Sequence, residues 1–293
     1  MKVFGMAKRN WTNLDPSRTK TERQRFMREM RRRLRALYKT TYKFLVTEDE
    51  LALAKRQQFK LKLKNYRRYA FLTTSQKLTQ FQSWLQQQVN VGLLEVDAMN
   101  TPWTSKYVQS AWRKGMFRSY TDVRKQGLSV TPDWYTATKE QWLKSAFLQP
   151  EMTSKVELLG TRAFESMKDI SATISAQMSR TLADGMANGY GPAKIARIMD
   201  RQVFGGRNRA RAMTIARTEI IHAHAEGQLD GLQELGVEKV KAQVEWSTAG
   251  DAVVCEQCAS LEGRVYSING ARGLIPLHPN CRCAWMPYVK SKK

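Results

Sequence analysis

Two short clusters, Cys255-Glu256-Gln257-Cys258 and His278-Pro279-Asn280-Cys281-Arg282-Cys283, gather all four cysteines of the chain and one of its three histidines. A Cys-x2-Cys pair on a tight turn points two thiolates at one ion, and His-x2-Cys repeats that geometry further along the chain. Four nitrogen and sulfur donors at tetrahedral geometry make a closed Zn²⁺ site, structural rather than catalytic. Five residues compete for the four positions: Cys255, Cys258, His278, Cys281 and Cys283. If residues 281–283 are extended, successive side chains alternate and only one of the last two cysteines faces the ion. The matching x2 spacings favour Cys255, Cys258, His278 and Cys281, with Cys283 as the substitute. Two disulfides, or reduced thiols packed as small hydrophobes, are the competing readings. Residues Met1 to Asn10 carry charge but no apolar core of a secretory signal. We therefore expect a reducing cytosol, which disfavours disulfides.

Around these clusters lie Ala216-Arg217-Thr218-Glu219, Gly227, Leu235-Gly236, Val244-Glu245-Trp246, Asp251 and Leu261-Glu262-Gly263. Together with Cys255-x2-Cys258 and the closing His278 to Cys283 run, this ordered set resembles the C-terminal domain of phage Mu F-like minor head proteins, the phage head morphogenesis family. The likeness covers roughly Leu158 to Tyr288; the first 150 residues carry none. It implies a virion assembly component present in few copies, associated with the portal vertex and linked to head assembly or DNA delivery. The implied partners are the portal protein, and with it the major capsid or scaffold protein. The metal site is read from this chain's own residues and is not implied by the resemblance.

The elements that must carry these motifs are mostly helical. Asp15-Pro16-Ser17 reads as a helix start, Asp15 as cap and Pro16 at the first position. Phe26, Met30, Leu34, Leu37 and Leu45 then form one apolar stripe. Arg23, Arg25, Arg28, Arg31, Arg32, Arg33 and Arg35 cover the remaining surface, too many for local acids to neutralise. Glu48-Asp49-Glu50 reads as the start of a second helix, whereas Lys60 to Lys64 is equally strand or basic helical turn. Leu78, Phe81, Leu85 and Val89 make another stripe, and Val108, Trp112, Met116, Tyr120 and Val123 a third. Asn100-Thr101-Pro102 and Val130-Thr131-Pro132-Asp133 are turns. A short helix around Gln141-Trp142-Leu143 stops before Pro150. Ser154 and Glu157 form a capping box that opens the longest stripe, Phe164 to Met186, closed by Gly189-Tyr190-Gly191. Pro192 starts a short helix, and another runs from about Arg207 to Leu235. Beyond Gly236 the period turns to two over Val240, Ala242, Val244 and Trp246, a strand; Arg264-Val265-Tyr266 reads as a second.

The expected fold is thus mainly α with a small α+β C-terminal module: an elongated helical N-terminal region, long helices, then a zinc-stabilised knob of short strands. We divide it into a basic helical arm (1–70), a helical region (71–150), the long-helix part of the Mu F-like domain (151–236) and a zinc-binding module (237–293). A formal charge of +23 favours a polyanionic partner, and residues 1–70 hold 21 Lys or Arg against 6 Asp or Glu. We expect non-specific contact of the arm's arginines with packaged DNA, and a place inside the head near the portal after assembly in the host cytoplasm. No apolar run approaches a membrane span. A zinc-assisted nuclease would draw on Asp251, Glu262 and His278, but it needs an open metal position that a full ligand set denies. Glu219 with His222 could seed another catalytic claim; an ion pair inside a helical domain is the plainer account, and His222 and His224 diverge too far to ligate together. A zinc-containing regulator would need a recognition helix between its ligand pairs, and none is written there. We read the chain as a non-enzyme.

Overall fold

Arg18 takes a left-handed backbone conformation (φ 52°), and that kink sets where the first helix begins. Thr19 O accepts the first helical bond from Arg23 N at 3.0 Å. Helix α1 therefore runs Lys20–Tyr42, several residues beyond the start expected at Asp15 and Pro16. The computed structural model describes residues 16–54, 74–125, 139–235 and 243–288. Asp15, the Lys60 to Lys64 run, the Val130 to Asp133 turn, Val240 and Ala242 lie outside them.

The other helices are α2 (Thr74–Gly92), α3 (Ser105–Lys125), α4 (Lys139–Phe147), α5 (Pro150–Ala187), α6 (Pro192–Met199) and α7 (Gly206–Glu234), with one-turn helices α8 (Glu256–Ala259) and α9 (Ile268–Ala271). Strands β1 (Gln243–Ser247), β2 (Val265–Tyr266) and β3 (Ala284–Tyr288) form a three-stranded antiparallel sheet in the order β2-β1-β3. The molecule is thus mainly helical with a small C-terminal sheet. No helix among the described residues is long and apolar enough to cross a membrane.

Two further starts differ from the sequence reading. Glu48, Asp49 and Glu50 open no helix: a π turn, Lys43–Thr47, ends α1's path. Asp49 adopts φ 47°, and its carboxylate accepts from Leu53 N and Ala54 N, spending on a loop the charge expected to cap a helix. Helix α5 begins at Pro150 rather than at the Ser154 capping box. Proline lacks the N–H that a first-turn residue would leave unbonded, so Pro150 is a natural first residue and Ser154 lies inside the helix.

The chain divides into two compact units, Met1–Phe26 with Thr104–Thr161 and Ala216–Lys293, and Met27–Trp103 with Arg162–Ile215. In the first, Val108, Trp112, Met116, Tyr120 and Val123 are all buried along α3. Trp112 Nε1 donates to Asp230 of α7 at 2.9 Å, and Ser119 Oγ donates to the Gln228 carbonyl at 2.6 Å. In the second, Met30, Leu34, Leu37 and Leu45 are buried, as are Phe81, Leu85 and Val89 of α2. Phe44 stacks on Trp84 there at 4.1 Å. Apolar faces at helical spacing supply both cores, as the stripes predict.

Candidate metal centre

The sheet fixes the site. β1 is its middle strand, pairing Val244 with Tyr266 and Trp246 with Trp285. Trp246 and Trp285 meet edge to face at 5.4 Å, both fully buried. Gln228 of α7 clamps this core: its Nε2 donates to Trp285 O at 2.8 Å, and its Oε1 accepts from Trp285 N at 3.3 Å. β3 was not read from the sequence, and it places the second ligand cluster immediately before a buried strand.

From β1 the chain turns through Thr248, whose N–H donates to Glu262 at 2.6 Å. It reaches Cys255, the N-cap of α8, whose sulfur accepts from Cys258 N at 3.4 Å. On the other side Cys281 N donates to His278 O at 3.1 Å, with Asn280 in a left-handed conformation (φ 66°). Asn280 N also donates to Thr218 Oγ1 of α7 at 3.4 Å, tying this loop to the helix. The two turns converge. His278 Nε2 lies 3.2 Å from both Cys255 Sγ and Cys258 Sγ, and Cys258 Sγ lies 3.9 Å from Cys281 Sγ.

Two overlapping groups could hold a metal, Cys255 with Cys258 and His278, and Cys258 with Cys281 and Cys283; in each, the donor atoms all lie within 4.8 Å of one another. A tetrahedron with metal–sulfur bonds of about 2.3 Å has sulfur–sulfur edges of about 3.8 Å, close to the Cys258–Cys281 separation. His278 Nδ1 lies 2.8 Å from the Pro279 carbonyl. A carbonyl only accepts, so Nδ1 carries the proton and the Nε2 lone pair faces the sulfurs, the tautomer a metal ligand needs. Residues 281–283 precede β3 and belong to no regular strand, so alternation does not separate Cys281 from Cys283. Both are buried beside Cys258.

Three sulfurs this close cannot all ionise without a cation. A hydrogen bond from Cys283, outweighing the opposing effect of burial, holds the Cys281 thiol down to about 5. Burial and then the charge of Cys281 push Cys258 up to about 12. Cys283 is raised above the ordinary thiol range, first by its hydrogen bond to Cys281 and then by burial. Among Cys258, Cys281 and Cys283 the negative charge thus settles on Cys281, and a divalent ion must displace the proton of Cys258. Its affinity for an ion such as Zn²⁺ is therefore expected to climb by at least about tenfold per pH unit from pH 6 to 8. Competition against a chromophoric chelator measures this; a pH-independent constant would mean that Cys258 is not a ligand.

The residues around the site are committed elsewhere. Both Asp251 oxygens accept from Arg282, at 2.5 and 2.7 Å, and that bond holds the Asp251 carboxyl below its usual range. Glu262 is bonded to Thr248 N, so two of the three nuclease candidates have structural roles here. Glu219, His222 and His224 are buried on α7 and belong to neither metal-capable group. Burial and the cations Arg118, Lys114 and Arg23 push His224 well below its ordinary value, leaving it neutral. The Arg282–Asp251 clasp and the Gln228 clamp went unread because each joins residues far apart in sequence; the one signal was an arginine between two cysteines.

The α1 arginines divide. Arg25, Arg28, Arg31, Arg32 and Arg35 are exposed, although Arg32 forms a two-bond pair with Glu29. Arg33 is buried: it bonds Glu29 at 2.9 Å, Glu95 at 2.6 Å and the Gly92 carbonyl at 2.5 Å, and stacks over Trp103. Arg23 is buried too, its guanidinium lowered to about 10 by burial and then by Arg217 and Arg282. Neither faces solvent as the arginine-covered surface predicts, because each lies on the border of the apolar stripe.

Residues 176–286 match the family model described as Phage Mu protein F like protein. The matched segment starts within α5 and ends in β3, taking in every candidate ligand and the Ala216 to Glu219 motif. It agrees with the resemblance drawn from the sequence over Leu158 to Tyr288. No curated protein and no solved structure matches the chain.

Proposed function

We propose that this chain is a non-enzymatic minor head protein of a tailed bacteriophage, acting in head morphogenesis within the virion. The observation that carries this is the Mu F-like match over residues 176–286, since that family suggests a phage head-morphogenesis protein. The finer reading adds three features. A structural Zn²⁺ is held by Cys255, Cys258, His278 and Cys281, with Cys283 as a hydrogen-bond donor to the Cys281 thiolate. Its support is the mixed sulfur and nitrogen donor set and the tautomer of His278. When bound, the ion stiffens two turns that the short strands alone bury too little surface to secure.

The exposed arginines of α1 contact packaged DNA without reading its sequence, and the protein sits near the portal vertex with the portal protein as its partner. Support for the DNA contact is the charge of +23 and its concentration toward the N-terminus. Support for the portal is the family resemblance alone. Cross-linking mass spectrometry on purified particles tests the assignment. We expect cross-links between this chain and the portal protein, at a copy number far below that of the major capsid protein. Absence of the chain from assembled heads would overturn the proposal.

A further inference from the structure

One wall of a groove in the second compact unit is the exposed face of α1, carrying Arg28, Arg31, Arg35 and Lys39. The facing wall is the π turn Asp200–Phe204 and the start of α7, carrying Arg201 and Arg209. The groove has a volume of about 1200 Å³, and Arg32 also borders it. Asp200 is its single acidic lining residue among those described. Among the described residues, Arg28, Arg31, Arg35, Arg201 and Arg209 form no ion pair.

Two features say what such a groove takes. On α1 the cations recur every three or four residues, so they share one face and span roughly 16 Å at 1.5 Å per residue. That is a line of charge, not a point site for a single small anion. The two large aliphatic and aromatic side chains of the floor, Leu34 and Phe204, are only 6% and 8% exposed, and Tyr38 leans on Phe204 at 5.4 Å. Arginine forks facing each other across a channel suit a ligand whose charge repeats regularly and whose oxygens accept in pairs.

We propose that this two-walled groove is a nucleic-acid backbone site, in which Arg201 and Arg209 grip phosphates from the side opposite α1. This rests on the DNA contact proposed above and adds its second wall, which no feature of the N-terminal charge run announces. Contact through both walls makes binding independent of sequence and steeply dependent on salt.

The test uses the full chain and a fluorescent mixed-sequence duplex of about 30 bp, followed by anisotropy between roughly 50 and 200 mM salt. Arg201→Ala with Arg209→Ala is expected to weaken binding about tenfold at low salt and to reduce the slope of log affinity against log salt by about 2. Both positions are exposed, and circular dichroism checks that the variant keeps its helices. Should Arg28→Ala with Arg31→Ala and Arg35→Ala lose affinity while the Arg201/Arg209 variant binds like wild type, α1 contacts DNA alone and the groove is not the site. If the wild type binds no duplex at all, the DNA reading itself fails. Competition by polyglutamate as effective as that by DNA would make the groove a site for an acidic protein and overturn the assignment.

Discussion

Cys258→Ser is expected to strip the metal from the protein and unfold the turns on either side of it. Cys258 is the one residue common to both metal-capable groups, so no rearrangement of the remaining four donors replaces it without moving a turn. Structural zinc contributes about 10–16 kcal/mol of apparent binding free energy in isolated small modules, where binding and folding are one event. Here β1 and β3 are also held by the Trp246–Trp285 pair and by Gln228, so part of the sheet survives loss of the ion. The expected cost is at least about 5 kcal/mol, or a fall in Tm of over ~10 °C for a chain of this size. Elemental analysis of the purified wild type should give about one equivalent of zinc, and the variant none. Cys283→Ser supplies the contrast. If Cys283 only donates to the Cys281 thiolate, that variant keeps its metal and loses about 1–3 kcal/mol, the cost of a polar change at a buried site. A Cys258→Ser protein that still binds one equivalent of zinc and melts with the wild type would remove the metal centre from this account.

What the sequence disclosed and what it hid have physical causes. The x2 spacings of Cys255 with Cys258 and of His278 with Cys281 were legible because a turn of two intervening residues is a local device; the structure gathers Cys255, Cys258 and His278 in one group and Cys258, Cys281 and Cys283 in another, sharing Cys258. The stripes on α1, α2 and α3 were legible for the same reason, since a helix repeats every 3.6 residues whatever it packs against. Local conformational exceptions were not. Nothing in the composition of Arg18 or Asp49 announces a positive φ, and each displaced an expected helix start. Long-range pairings were hidden altogether. Arg33 looks like one more surface arginine until Glu95 and Trp103 are found beside it, and Arg201 and Arg209 look unremarkable until α1 lies across from them. Charge density in sequence identified one wall of the groove; only the fold could supply the other.

The same blindness conceals the positions where a single methyl group should do most harm. Gly227→Ala is expected to destabilise the protein by at least about 4 kcal/mol, although glycine to alanine inside a helix ordinarily stabilises by about 1 kcal/mol. A Cβ at Gly227 would sit 2.1 Å from the Trp112 carbonyl oxygen and 2.9 Å from its carbon. The contact is reciprocal: a Cβ at Gly115 would lie 2.1 Å from the His224 carbonyl oxygen and 2.8 Å from Gln228 N. At Gly231 the nearest atoms are Met116 Cα and O, both at 2.9 Å. Helices α3 and α7 therefore touch backbone to backbone, and the atoms in the way cannot rotate aside as a side chain would. Accommodating the methyl group means separating the helices, which pulls Trp112 from Asp230 and Ser119 from the Gln228 carbonyl, both buried bonds. It also tilts α7, the helix whose Gln228 clamps Trp285 and whose Thr218 holds the loop of His278 and Cys281, so affinity for metal should fall with stability. Thermal denaturation with and without chelator separates the two effects. Gly92→Ala is the control: it ends α2 with nothing within 4 Å of the added carbon, and its change should stay within about 0.5 kcal/mol of zero or be mildly stabilising. A Gly227→Ala protein as stable as the Gly92→Ala control would mean that α3 and α7 do not cross at this distance, and the route by which α7 positions the metal loops would have to be sought elsewhere.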